Sequence, residues 1–97
     1  MNLDKEVKKT RQWESTTIKL YEVEKKSVPI GGFANIEAFD TDGNLLCTAD
    51  PPQSKFDFYF DIKIDAANNA LLAYTAISFL AKISLEDGKT QNFRMIK

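Results

Sequence analysis

Apolar residues recur at every second position along much of this chain, most clearly in its middle. In "KFDFYFDIKID", Phe56, Phe58, Phe60, Ile62 and Ile64 alternate with Asp57, Tyr59, Asp61 and Lys63. A two-residue period is that of an extended strand whose two faces meet different surroundings, so this run predicts a strand that buries its phenylalanines and wets its aspartates. "TTIKLYEVE" reads the same way, with Ile18 and Leu20 on one side and Lys19, Tyr21 and Val23 on the other. In "FANIEAFD", Ala34, Ile36 and Ala38 stand opposite Phe33, Asn35, Glu37 and Phe39.

Breaks separate these runs. Pro29 and the Gly31-Gly32 pair interrupt the chain after the first strand, because proline cannot donate to a ladder and glycine permits a bend or bulge. Asp42-Gly43 and Asp87-Gly88 each lie between strand-like segments. An Asp-Gly pair suits the positive φ angles of a type I′ hairpin turn, so both sites predict antiparallel neighbours. "ADPPQS" between the first hairpin and the phenylalanine-rich run reads as a loop.

Residues 66–86 admit two patterns. Leu72, Ala76, Phe79 and Ile83 fit a helical stripe, whereas Ile77, Phe79, Ala81, Ile83 and Leu85 alternate as in a strand. One strand through the whole segment would exceed the usual length. The favoured reading is a loop or helical turn at 65–69, a short strand at 70–75 and a longer one at 77–86; the alternative is an α+β fold with one helix near 66–81. Six to seven short strands with regular turn signals predict an all-β domain, a small antiparallel β-sandwich (immunoglobulin-like) or a barrel. The run "ANIEAFDTDGNLL" resembles hairpins of immunoglobulin-like domains in bacterial surface and phage structural proteins, through an alternating strand and an Asp-Gly turn over a short part of the chain.

Residues 1–14 depart from this pattern. Lys5, Lys8, Lys9 and Arg11 accompany few apolar residues, of which Leu3, Val7 and Trp13 could at best line one side of a short helix, and this predicts a flexible or short helical arm before a single β-rich domain at 15–97. Trp13 at the end of that arm is a candidate contact residue, docking on the domain's own core or on another chain. A chain of 97 residues has room for one hydrophobic core, and 43% hydrophobic residues place it among globular sequences.

The net charge of −1 gives no general attraction to nucleic acid or an anionic membrane. Charge is nevertheless uneven: residues 1–26 carry seven Lys/Arg against five Asp/Glu, and the remainder six against nine. The arm's carboxylates Asp4, Glu6 and Glu14 dilute its basic residues, so no nucleic-acid partner is expected. The N-terminus lacks the apolar run of a signal peptide or membrane span. With Cys47 as the single cysteine, no intrachain disulfide can form, and a reducing compartment fits best. A cytoplasmic location where the chain is made is expected, free or incorporated in a virion or assembly, with no membrane partner.

The chain contains no histidine. That removes Ser-His-Asp and Cys-His catalysis, histidine-ligated zinc and the usual side chain for proton transfer near neutrality. Cys47 in "NLLCTAD" has no cationic neighbour in sequence to stabilise a thiolate and reads as a buried apolar residue. "DTDGN" at 40–44 resembles a calcium loop only superficially: Gly43 stands fourth rather than sixth, and Pro51 occupies the place of the bidentate glutamate. Turn chemistry accounts for these residues.

Asp57, Asp61 and Asp65 share the expected outward side of their strand. At ~3.3 Å per residue, carboxylates four apart are about 13 Å distant, too far to chelate one ion or act as an acid–base pair. Solubilising charge is the first reading of them; the second is a binding face of Asp57, Tyr59, Asp61 and Lys63, with Tyr59 supplying contact area. No cofactor and no metal site is expected. The sequence points to a non-enzymatic protein–protein interaction or structural module, such as a phage or virion component, an assembly subunit or a small inhibitor of a host protein, with a protein partner or self-association. The alternative is a β-domain that binds a small ligand or cation at Asp40, Asp42, Asp57 and Asp61.

Overall fold

The computed structural model describes residues 6–23, 28 and 30–96. Leu3 and Lys5 of the N-terminal segment and the strand-breaking Pro29 lie outside the described residues. Eight strands make up the fold: β1 (Val7–Trp13), β2 (Thr16–Tyr21), β3 (Ile36–Phe39), β4 (Leu45–Thr48), β5 (Tyr59–Asp65), β6 (Ala70–Thr75), β7 (Phe79–Ser84) and β8 (Thr90–Met95). They form two four-stranded antiparallel sheets, β1-β2-β3-β4 and β5-β6-β7-β8, packed as a small β-sandwich. Strand order within each sheet is sequential, so the sandwich joins two meanders, whereas immunoglobulin domains interleave strands from both sheets.

The segment expected as a flexible or helical arm is corrected: Val7–Trp13 is a strand, paired in register with β2 from Trp13↔Thr16 to Lys9↔Leu20. It reads as polar on both sides because it is an edge strand, where charged residues discourage further pairing. Trp13 packs against the chain's own core. The helix weighed at 66–81 is absent; Ala66–Asn68 is a single 3-10 turn, closed by Asn69 in the left-handed region, between β5 and β6.

Both Asp-Gly hairpins are present with longer loops than a type I′ turn. Only Gly43 and Gly88 take positive φ there, at 84° and 76°. Asp40 organises the first loop: its carboxylate accepts from the Asp42 and Asn44 amides, both at 2.9 Å, and these bonds hold it below the usual carboxylate range. In the second, Gly88 fits where a Cβ would come within 2.7 Å of the Thr48 carbonyl oxygen.

The core lies between the sheets. Ile18, Leu20, Ile36 and Ala38 from the first sheet meet Ile62, Leu71, Ala73, Ala81 and Ile83 from the second, the alternation expected for β2 and β3. Strand β5 departs from expectation. Its pairing with β6 runs from Tyr59↔Thr75 directly to Asp61↔Tyr74, so Phe60 is an extra residue in a bulge. One inserted residue moves every later side chain to the opposite face. Odd positions therefore point inward before the bulge and even positions after it. Asp57 and Tyr59 are buried, with 0% and 1% exposure, together with Ile62 at 2%, while Phe56 and Phe60 face solvent.

Candidate functional site

The carboxylate expected at the surface, Asp57, is the hub of one end of the sandwich. The Ser54 hydroxyl donates to it at 2.6 Å, and the backbone amides of Phe58 and Ile77 donate at 2.9 and 3.2 Å. Its own carbonyl accepts from the Phe33 amide at 3.0 Å. A buried carboxylate is tolerated when its lone pairs are filled in this way. Asp57 thereby ties together the loop before β5, the turn between β6 and β7, and the strap that leads into β3. Phe33 also bridges to Phe58 in a local parallel pairing, and the Phe56 amide donates to the Ile30 carbonyl.

These bonds set four large apolar side chains around one end of the molecule: Ile30, Phe33, Phe56 and Ile77, exposed by 62, 40, 58 and 48%. Phe56 has a φ of 55°, in the left-handed region that costs an ordinary L-residue roughly 1–2 kcal/mol. With more than half of its surface exposed, Phe56 gains little from burial to offset that cost, and the Phe56 amide bond to the Ile30 carbonyl holds its backbone in place. A shallow groove beside it is lined by Ile30, Gly31, Pro52, Gln53, Ser54 and Lys55.

Of the residues expected to form a binding face on β5, the structure separates two pairs. Asp57 and Tyr59 are interior, a correction to their expected outward placement that follows from the bulge. The Tyr59 hydroxyl donates to the Asp50 carbonyl; burial, reinforced by the carboxylates of Asp50 and Asp57, pushes its ionisation well above the usual tyrosine range. Asp61 and Lys63 remain partly exposed or exposed. Asp61 pairs with Lys9 of β1, which holds its carboxyl low, and the Lys8 ammonium lies 5.6 Å from the Phe60 ring centre. Trp13 is partly buried and packs against the core.

Asn35 escaped the sequence reading. Buried at 3%, it donates to the carbonyls of Tyr21 and Tyr59 and accepts from the Tyr59 amide, joining the two sheets. An asparagine inside an otherwise alternating apolar run was the only available signal.

The chemistry available is limited. Burial and the nearby Asp87 raise the Cys47 thiol, which makes it a poor nucleophile at neutral pH. The carboxylates of Asp40, Asp57 and Asp61 are each engaged by partners of their own, and among the described residues no three His, Cys, Asp or Glu side chains are grouped to hold a metal ion. No helix among the described residues is long and apolar enough to cross a membrane. Compared with known proteins, the chain matches no family model, no curated protein and no solved structure.

Proposed function

We propose that this chain is a non-enzymatic protein–protein interaction module that engages a partner protein through the apolar end built on Asp57. Phe56 carries the reading: an aromatic side chain kept in solvent by a backbone conformation that costs stability, beside Ile30, Phe33 and Ile77. Aromatic and aliphatic anchors clustered on a rigid support are the usual energetic centre of an interface, and exposed apolar clusters on soluble domains mark such sites. The raised thiol and the dispersed carboxylates favour a binding over a catalytic role. A module of this kind suits an assembly subunit or a small inhibitor.

Phe56→Gly tests the proposal, because glycine accepts the same φ while removing the ring. Wild type and variant are compared by affinity capture from lysate of the native host and by light scattering of the purified proteins. Loss of captured partners by a variant that remains folded supports the reading. An identical set of partners for both proteins, or none for either, overturns it.

A further inference from the structure

The outer face of the second sheet carries a second surface, independent of the apolar end. Cross-strand pairing places Leu80 opposite Arg94 and Lys82 opposite Asn92, with Leu72 beside Lys82 on β6. Leu72, Leu80, Lys82, Asn92 and Arg94 line one dip of about 80 Å³. Its lining combines two half-buried leucines with two cationic side chains. Neither Lys82 nor Arg94 forms an ion pair with any described residue, whereas the acids on the β5 side of the face are engaged: Asp61 by Lys9 and Asp65 by Asn68. Two unpaired cations beside half-buried leucines suit a ligand that presents a carboxylate next to apolar side chains.

The first sheet presents such a ligand. The β3–β4 hairpin exposes Asp42, and immediately after it Leu45 and Leu46, 54 and 53% exposed at the edge of the sheet. Asp40 has its oxygens turned into the loop, which leaves the Asp42 carboxylate as the outward charge. The other edge strands carry charged residues, Lys8, Lys9 and Arg11 on β1, Asp61 and Lys63 on β5, and Arg94 on β8; β4 carries none.

We infer that a second copy of this chain is the occupant of the basic dip: the Asp42–Leu46 hairpin of one molecule docks over Lys82 and Arg94 of the next. Socket and plug are different surfaces, so the contact is heterologous and repeats head to tail unless the rotation closes a ring. Overall charge does not drive it; the local pairing of Asp42 with Lys82 and Arg94 does, and salt weakens it.

Sedimentation velocity over a concentration series tests this, with a socket variant (Lys82→Glu with Arg94→Glu) and a plug variant (Asp42→Lys with Leu46→Ser). The expected result is growth of wild type beyond a dimer at low salt, weakened at least about tenfold in about 1 M salt, where the screening length is about 3 Å. Each variant alone stays monomeric. Mixed in equal amounts they form a dimer and nothing larger, since the mixture holds one intact socket facing one intact plug. A wild type that stays monomeric at its highest soluble concentration in low salt overturns the inference, as does growth unaffected by both variants. The Phe56→Gly protein separates this contact from the apolar end: it assembles like wild type if the dip is the socket, and loss of assembly there would assign growth to the apolar end instead.

Discussion

The Tyr59 hydroxyl donates to the backbone carbonyl of Asp50 at 2.7 Å, joining the first strand of one sheet to the residue that leaves the other. Asp50 also receives the Thr90 amide on its side chain and donates its own amide to Gly88, so one buried phenol is tied to both the exit of β4 and the β7–β8 turn. Tyr59→Phe keeps the ring and removes this bond, and is expected to cost about 1 kcal/mol. Tyr59→Ala also opens a cavity and is expected to cost about 3–5 kcal/mol, as for other large aromatic deletions. Urea denaturation midpoints check both.

Alkaline pH acts on the same residue. Its folded-state ionisation lies above the usual value of about 10, so the unfolded chain releases the proton first, and stability falls as pH rises above about 10. Tyr21 behaves similarly: burial and the Glu37 carboxylate push it up to about 12, and its contribution is lost between about 10 and 12. Tyr21→Phe should flatten the alkaline limb over that window, read from thermal midpoints across a pH series; an unchanged limb would contradict the assignment.

Removing the Asp57 carboxylate strands donors that have no other partner. Asp57→Ala leaves the part-buried Phe58 and Ile77 amides without their carboxylate acceptor, and with about 1 kcal/mol for each, the low end for a group that water can still reach, the expected loss is about 2 kcal/mol. Hydrogen exchange should show the 54–58 loop and the 75–78 turn opening together, because one side chain holds both.

Phe56→Gly should behave oppositely to most exposed-loop substitutions. Relief of the left-handed backbone outweighs the extra entropy of glycine, and stability should end within about 1 kcal/mol of wild type, on the more stable side. Chemical denaturation measures this directly, and a clear destabilisation would remove the case that Phe56 is held at a cost.

The two turn glycines should differ under the same change. Gly43→Ala meets open space and bears only the backbone penalty of about 1–2 kcal/mol. Gly88→Ala also drives its methyl toward the Thr48 carbonyl at 2.7 Å and should lose more, as thermal midpoints of the pair would show.

Much of the sandwich was legible. Ile18, Leu20, Ile36 and Ala38 alternate into the core as their spacing indicates, and the division at 65–69 and 70–75 follows from a strand that would otherwise be too long. Three features were not legible. Polar residues on both sides of Val7–Trp13 look like an arm because an edge strand has little to bury. A bulge leaves no mark on an alternating sequence, so the inward side expected for this run is wrong up to and including Phe60 and right at Ile62. Asp57 looked like a solvated charge because the three donors that surround it come from Ser54, Phe58 and Ile77, the last of which reaches it only after folding.

The extra residue at Phe60 lets one strand obey two phases. Upstream, the chain can bury a hydrogen-bonding anchor and leave phenylalanine outside; downstream, it supplies isoleucine to the interior as an ordinary strand would. Deleting that single position would bring the halves into one phase and force a choice between losing the Asp57 anchor and turning Ile62 to water. The presentation of aromatic side chains at this end thus depends on an irregularity of one residue in β5.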